Sequence, residues 1–123
     1  MTEEEMAREV VDSALAVHRE LGPGLLESVY ERCLAYELTQ RGVGVERQKK
    51  LPLAYRGLRF EAGYLLDLLV GERIVVELKA VERIEPVHEA QLLSNFRLSG
   101  LHLGFLINLN VRLIKEGIRR FVL

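Results

Sequence analysis

The sequence predicts an α/β domain with a mixed central β-sheet flanked by α-helices, in the order ααβββαββ. Three observations lead there. Two N-terminal stretches repeat apolar residues at helical spacing, the middle of the chain switches to extended segments broken by turns, and one more helical pattern precedes a strongly apolar late segment. At 123 residues and 49% apolar content, residues 1–123 suit a single domain with one continuous core.

Thr2 followed by Glu5 has the form of a capping box, and Val10, Ala14, Val17 and Leu21 then recur at helical spacing, so the first helix is expected from about residue 3 to residue 20. Gly22-Pro23-Gly24 ends it, since proline cannot continue a helix and glycine permits the turn. A second helix runs to about Gln40 and stops at Gly42. Extended segments follow over roughly 43–54, 58–70 and 73–80, with turns at Tyr55-Arg56-Gly57 and Gly71-Glu72-Arg73, which is the pattern of an antiparallel meander. Glu85-Pro86 starts a helix with proline in its first turn, continuing to about Leu98. Leu101 to Leu109 reads as a buried strand and Gly117 to Leu123 as a short terminal one.

Several function classes drop out on composition. The single cysteine, Cys33, cannot make an internal disulfide, a cysteine-rich zinc site or an iron–sulfur cluster, and is expected in the core. No run approaches the roughly 18 apolar residues that cross a bilayer, and Glu3, Glu4 and Glu5 make the start acidic where a secretory signal is basic, so the expectation is a soluble cytoplasmic protein without a membrane partner. The formal charge of −1 does not advertise nucleic acid binding. Arg41, Arg47, Lys49, Lys50, Arg56 and Arg59 nevertheless crowd one stretch, and Arg112, Lys115, Arg119 and Arg120 another; a basic face exists if they meet, and scattered solvated charges are the other reading.

The chemistry concentrates in the second and third extended segments. In Ile74-Val75-Val76-Glu77-Leu78-Lys79-Ala80, strand alternation puts Glu77 and Lys79 on one face with Val75. In Tyr64-Leu65-Leu66-Asp67-Leu68-Leu69-Val70, Asp67 is the only charge in an otherwise buried run, and a charge there must be paired or bind a cation. A three-residue loop at Gly71, Glu72 and Arg73 sets Val70 opposite Ile74 and, counting back, Asp67 opposite Glu77. Facing carboxylates with Cβ atoms about 5 Å apart repel unless a cation joins them. Magnesium takes oxygen ligands and commonly uses one or two carboxylates, leaving positions for water and phosphate. Lys79 beside it can orient a nucleophile or stabilise transition-state charge. A plain surface Glu–Lys pair explains Glu77 and Lys79 but not Asp67.

Two helix residues are further candidates. Glu27, Glu31, Leu34 and Leu38 follow one stripe, so Glu27 can end a face directed at the sheet and add a metal or water contact; a carboxylate favoured by the helix dipole is the alternative. Gln91, one turn after His88, can hydrogen-bond a water or phosphate, or simply be an exposed amide, and the three histidines suggest no zinc site.

Taken together, Gly24-x-x-Glu27-x-x-Tyr30, Arg47-Gln48, Leu51-Pro52, Tyr55-Arg56-Gly57, Asp67-x9-Glu77-x-Lys79, His88-Glu89-Ala90-Gln91 and Leu106-Ile107-Asn108 resemble the GxxExxY proteins over about residues 8 to 121. That family is placed in the PD-(D/E)XK nuclease superfamily, in the branch of RecB-type and phage exonucleases. The resemblance implies a restriction-endonuclease-like core and a nuclease site. In it Glu27 is the helix-borne acid, Asp67 and Glu77 are metal ligands, Lys79 is the catalytic lysine and Gln91 the helix glutamine. Related sequences often carry tyrosine four residues after the glutamine, where this chain has Asn95. The expected function is hydrolysis of DNA phosphodiester bonds by magnesium-activated water, with manganese able to substitute and Glu27 as a third metal contact. A non-catalytic nucleic-acid- or protein-binding module on the same fold is the alternative, and a homodimer building its cleft from two chains is compatible with either.

Overall fold

The computed structural model describes residues 1–123 and contains helices α1 (Glu3–Leu21), α2 (Glu27–Gln40) and α3 (Pro86–Ser99), strands β1 (Val45–Tyr55), β2 (Leu58–Val70), β3 (Ile74–Lys79), β4 (Leu103–Asn108) and β5 (Ile118–Val122), and a short 3₁₀ turn at Ile114–Glu116. The strands form one sheet in sequential order β1-β2-β3-β4-β5, antiparallel except for β3 and β4. That parallel pair exists because α3 carries the chain back across one face of the sheet between them, which a tight turn cannot do.

Apart from the 3₁₀ turn, which the sequence reading did not anticipate, the elements differ from the sequence expectation only at their ends. The Thr2 hydroxyl accepts from the Glu5 amide, capping α1. At the head of α3 the His88 Nδ1 accepts from the Glu85 amide, so His88 is a capping residue. Arg56 and Gly57 both have positive φ (45° and 89°) between paired Tyr55 and Leu58, the two-residue turn whose twist matches a hairpin. Gly71 (φ 58°) and Glu72 (φ 60°) make the next turn, with Val70 paired to Ile74 as expected.

Alternation along β3 divides the core. Ile74, Val76 and Leu78 pack with Val10, Ala14, Tyr30, Leu34 and Leu38 beneath α1 and α2, while Val75 packs with Leu92 and Phe96 beneath α3. Helix α3 approaches closely because β4 carries glycine there: a Cβ on Gly104 would lie 2.9 Å from the Phe96 ring and 2.5 Å from a Val75 methyl. Cys33 lies at the margin of the larger cluster, only partly buried, rather than inside it as expected.

One irregularity bears on the site. Residues two apart in a regular strand face the same way, yet Leu66 belongs to the cluster beneath α3 and Leu68 and Val70 to the one beneath α1 and α2. The alternation therefore slips at Asp67. Its counterpart on β1 is Gln48, whose φ of 52° lies in the left-handed region, and the ladder passes from Arg47–Leu68 to Lys49–Leu66 without pairing the two.

Candidate active site

The regular pairing of β2 with β3 ends at Leu68–Val76, one step short of the expected Asp67–Glu77 pair. Beyond it the Asp67 side chain takes over the backbone's role, its Oδ2 accepting from the Leu78 amide at 2.9 Å. Strand β2 thus bends away from β3 while its carboxylate stays anchored to it. Glu77, only 2% exposed, has its Oε1 fixed by the Asn95 side-chain amide at 2.6 Å. Each carboxylate has one oxygen engaged by the protein. The second Asp67 oxygen has only a long 3.5 Å contact with Gln48 Nε2, and Glu77 also interacts with the Asp67 backbone and carboxyl.

These carboxyls are poor places for charge. Burial, then repulsion from Asp67, pushes the Glu77 carboxyl up to about 8, with the Asn95 hydrogen bond and Lys79 pulling the other way. Burial also raises Asp67, against the Leu78 amide that favours its ionised form. The Glu27 carboxyl is raised by burial first and then by Asp67. Tyr64, three residues before Asp67, is raised as well, by burial and then by Glu77, Asp67 and Glu27. Four acidic groups from two strands and a helix thus feel one another's fields.

Lys79 adds the cation. Its Nζ donates to Gln91 Oε1 at 2.7 Å, which fixes the ammonium against α3 and gives Gln91 a role as its holder. A chain of contacts runs to α2, where buried Glu31 accepts from the Gln48 amide and from Arg47 at 3.2 Å. Glu27 begins α2 without a side-chain hydrogen bond. Of the five sequence candidates, Asp67, Glu77, Lys79 and Gln91 are brought together at the diverging ends of β2 and β3 under α3. Glu27 enters the same field from α2, but no three His, Cys, Asp or Glu side chains come together as a metal cage.

The tyrosine of the Gly24-x-x-Glu27-x-x-Tyr30 motif has a structural task. The Tyr30 hydroxyl donates to the Gly22 carbonyl at 2.6 Å and accepts from the Leu25 amide at 3.1 Å, pinning the loop that delivers Glu27. Asn108 closes the other side: its amide bonds both the N–H and the carbonyl of Val81 and accepts from the Asn110 amide, so the segment leaving Lys79 is tied to the end of β4.

A family model for the PD-(D/E)XK nuclease superfamily matches residues 4–121. The chain belongs to this superfamily. No curated protein and no solved structure matches it. PD-(D/E)XK proteins are generally nucleases and usually use divalent metals, which gives this chain a nuclease-type assignment and nucleic acid as its partner class. The mixed sheet with flanking helices is the fold of that superfamily. No helix is long and apolar enough to cross a membrane.

The donor set fits the divalent ion that PD-(D/E)XK chemistry uses. Two carboxyls crowded into a poorly solvated site repel each other when both are ionised, and a hard cation relieves that repulsion. Asn95, Gln48, Glu31 and Tyr64 are the site residues that sequence reading missed. Asn95 stood out only as a departure from related sequences, yet it grips Glu77 where a tyrosine would have offered an aromatic contact. Arg47-Gln48 was visible as a motif, but its partner Glu31 is sixteen and seventeen residues away. Half of the expected basic face is neutralised within the chain: Arg41, Arg47, Lys49, Arg119 and Arg120 pair with glutamates, while Lys50, Arg56, Arg59, Arg112 and Lys115 do not.

Proposed function

We propose that this protein is a magnesium-dependent deoxyribonuclease that hydrolyses phosphodiester bonds, with Asp67 and Glu77 as metal ligands, Lys79 and Glu27 acting on the reacting groups, and Gln91 positioning the lysine. The observation that carries it is the pair of mutually repelling carboxylates beside an anchored ammonium. A divalent cation bound there supplies charge neutralisation and makes water a better nucleophile at neutral pH. The chain's own groups account for the rest. Lys79 Nζ, held by Gln91, meets the charge that builds on the non-bridging phosphate oxygens, and does so without reorganising. Glu27, its carboxyl raised above the ordinary range and free of hydrogen bonds, suits the acceptance of a proton from attacking water or its orientation. The Leu78 amide and Asn95 keep Asp67 and Glu77 from swinging apart when charged.

The test is cleavage of single- and double-stranded DNA in magnesium or manganese, with Asp67→Ala and Lys79→Ala alongside. Cleavage that needs metal and disappears in both variants supports the proposal. Wild-type cleavage no faster than the variants removes it. Calorimetric titration with magnesium then separates a non-catalytic binding module, which has no need of a site dependent on Asp67 and Glu77.

A further inference from the structure

The β1–β2 hairpin extends well beyond the rest of the sheet. Strand β3 pairs only with Leu68–Val70 of β2, and Leu51 and Leu66 are still buried beneath α3, so it is the hairpin beyond them, Leu53 to Tyr55 and Leu58 to Ala62, that stands out as a two-stranded ribbon. Near its tip Tyr55 pairs with Leu58 and Leu53 with Phe60, and directly opposed residues share a side of the ribbon. That side is uncovered: Leu53, Tyr55, Leu58 and Phe60 are 39, 58, 62 and 49% exposed. The register shifts between Leu51 and Leu53, from Leu51–Tyr64 to Leu53–Phe60, but by an even number of residues on both strands, which keeps Leu53 and Tyr55 on the side of Leu51, a member of the cluster beneath α3. The apolar strip therefore continues the face of the sheet that carries Glu77, Lys79 and Gln91.

Charge selects the occupant. Residues 45–62 contain five Lys and Arg and two Glu, whereas the remainder of the chain carries twelve basic and sixteen acidic residues. Lys50, Arg56 and Arg59 have no acidic partner, Lys50 and Arg59 lying on the side opposite the apolar strip, and the Arg56 guanidinium lies over the Tyr55 ring 5.5 Å from its centroid. A second copy docked ribbon to ribbon would bring two hairpins of net positive charge together. A polyanion with exposed flat faces satisfies both the charge and the aromatic surface, and a duplex hides those faces inside its own stack.

We infer that the ribbon is a substrate arm on which Tyr55 and Phe60 stack unpaired bases while Arg56 at the turn, with Lys50 and Arg59 reaching round from the opposite side, attracts the phosphates, so that the site receives single-stranded nucleic acid. This deepens the nuclease reading and rests on it for its functional meaning. From Phe60 to Asp67 is seven residues of strand, at most roughly 23 Å. A strand gripped by the arm thus reaches the carboxylates only when it spans that distance.

The experiment is fluorescence anisotropy on the intact wild-type protein in EDTA with labelled twelve-nucleotide oligothymidylate, oligouridylate and a DNA duplex, repeated with a four-nucleotide oligothymidylate. Tyr55→Ala and Phe60→Ala should each raise Kd for the twelve-nucleotide strands about tenfold, the loss of one base–aromatic stack. Tyr55→Phe should keep the affinity, and 2-aminopurine in the strand should be quenched on binding. The four-nucleotide strand should bind more weakly than the longer one. DNA and RNA strands differing in affinity but sharing the aromatic dependence support the inference and identify the preferred sugar. Unchanged Kd in both alanine variants overturns it, as does duplex binding as tight as single-strand binding. Light scattering that shows a dimer dissociated by Phe60→Ala, with oligonucleotide affinity unaffected, overturns it in favour of self-association. Failure of metal-dependent cleavage alongside aromatic-dependent binding removes the catalytic proposal and leaves this one standing.

Discussion

Replacing Glu77 by glutamine tests the electrostatics of the site directly, because the change removes a charge while preserving shape and the acceptor that Asn95 uses. In the folded protein the carboxyl is raised from 4.5 to about 8. Its neutral form is therefore favoured by folding, and between pH 4.5 and about 8 the native state holds a proton that the unfolded chain has released. Wild-type stability should fall as pH rises through that window and level off above it. At about 1.36 kcal/mol per tenfold change in proton affinity, the full displacement corresponds to roughly 3–5 kcal/mol. An amide nitrogen left without a partner in the variant costs about 1–3 kcal/mol. Glu77→Gln should accordingly be more stable than wild type by on the order of 1–3 kcal/mol at pH 8.5 in EDTA, and no more stable at pH 4.5. Urea unfolding followed by far-ultraviolet circular dichroism measures this, since the chain has no tryptophan. Magnesium at a hundred times its Kd should stabilise wild type by about 2.7 kcal/mol and leave the variant unmoved. Equal stability at pH 8.5, or a less stable variant, would refute the claim that these carboxyls repel in a dry site.

Lys79→Met, which removes the ammonium but keeps an apolar stem, should reduce cleavage by about a hundredfold or more while shifting the urea midpoint little; single-turnover cleavage alongside unfolding measures both. Tyr30→Phe deletes a hydroxyl that bonds the Gly22 carbonyl and the Leu25 amide, and should destabilise by about 1–3 kcal/mol, read from the urea midpoint. Asn108→Ala removes three hydrogen bonds in a 2% exposed position, so the loss should be about 3 kcal/mol or more; a variant as stable as wild type would show that this asparagine does not hold the Val81 segment.

The fold was legible because its signals are local. Capping at Thr2, the Gly22-Pro23-Gly24 break, proline at the head of α3 and the two glycine turns each act within a few residues, and the structure keeps them all. The same holds for the two faces of β3, since alternation is a property of the extended backbone itself. Counting through the Gly71 turn also gave the Val70–Ile74 register.

Residue pattern alone placed Asp67, Glu77 and Lys79 on adjoining strands of an α/β fold. How those groups are held emerges only once the layers pack. Asp67 reaches Leu78 because the strand alternation slips where Gln48 takes a left-handed backbone. Glu77 is gripped by Asn95 from a helix that Gly104 allows to descend onto the sheet, and Glu31 joins through Gln48 from the opposite layer. Spacing along a chain encodes periodicity and turns, whereas hydrogen bonds between layers depend on crossing positions and burial that come into being only when the layers pack.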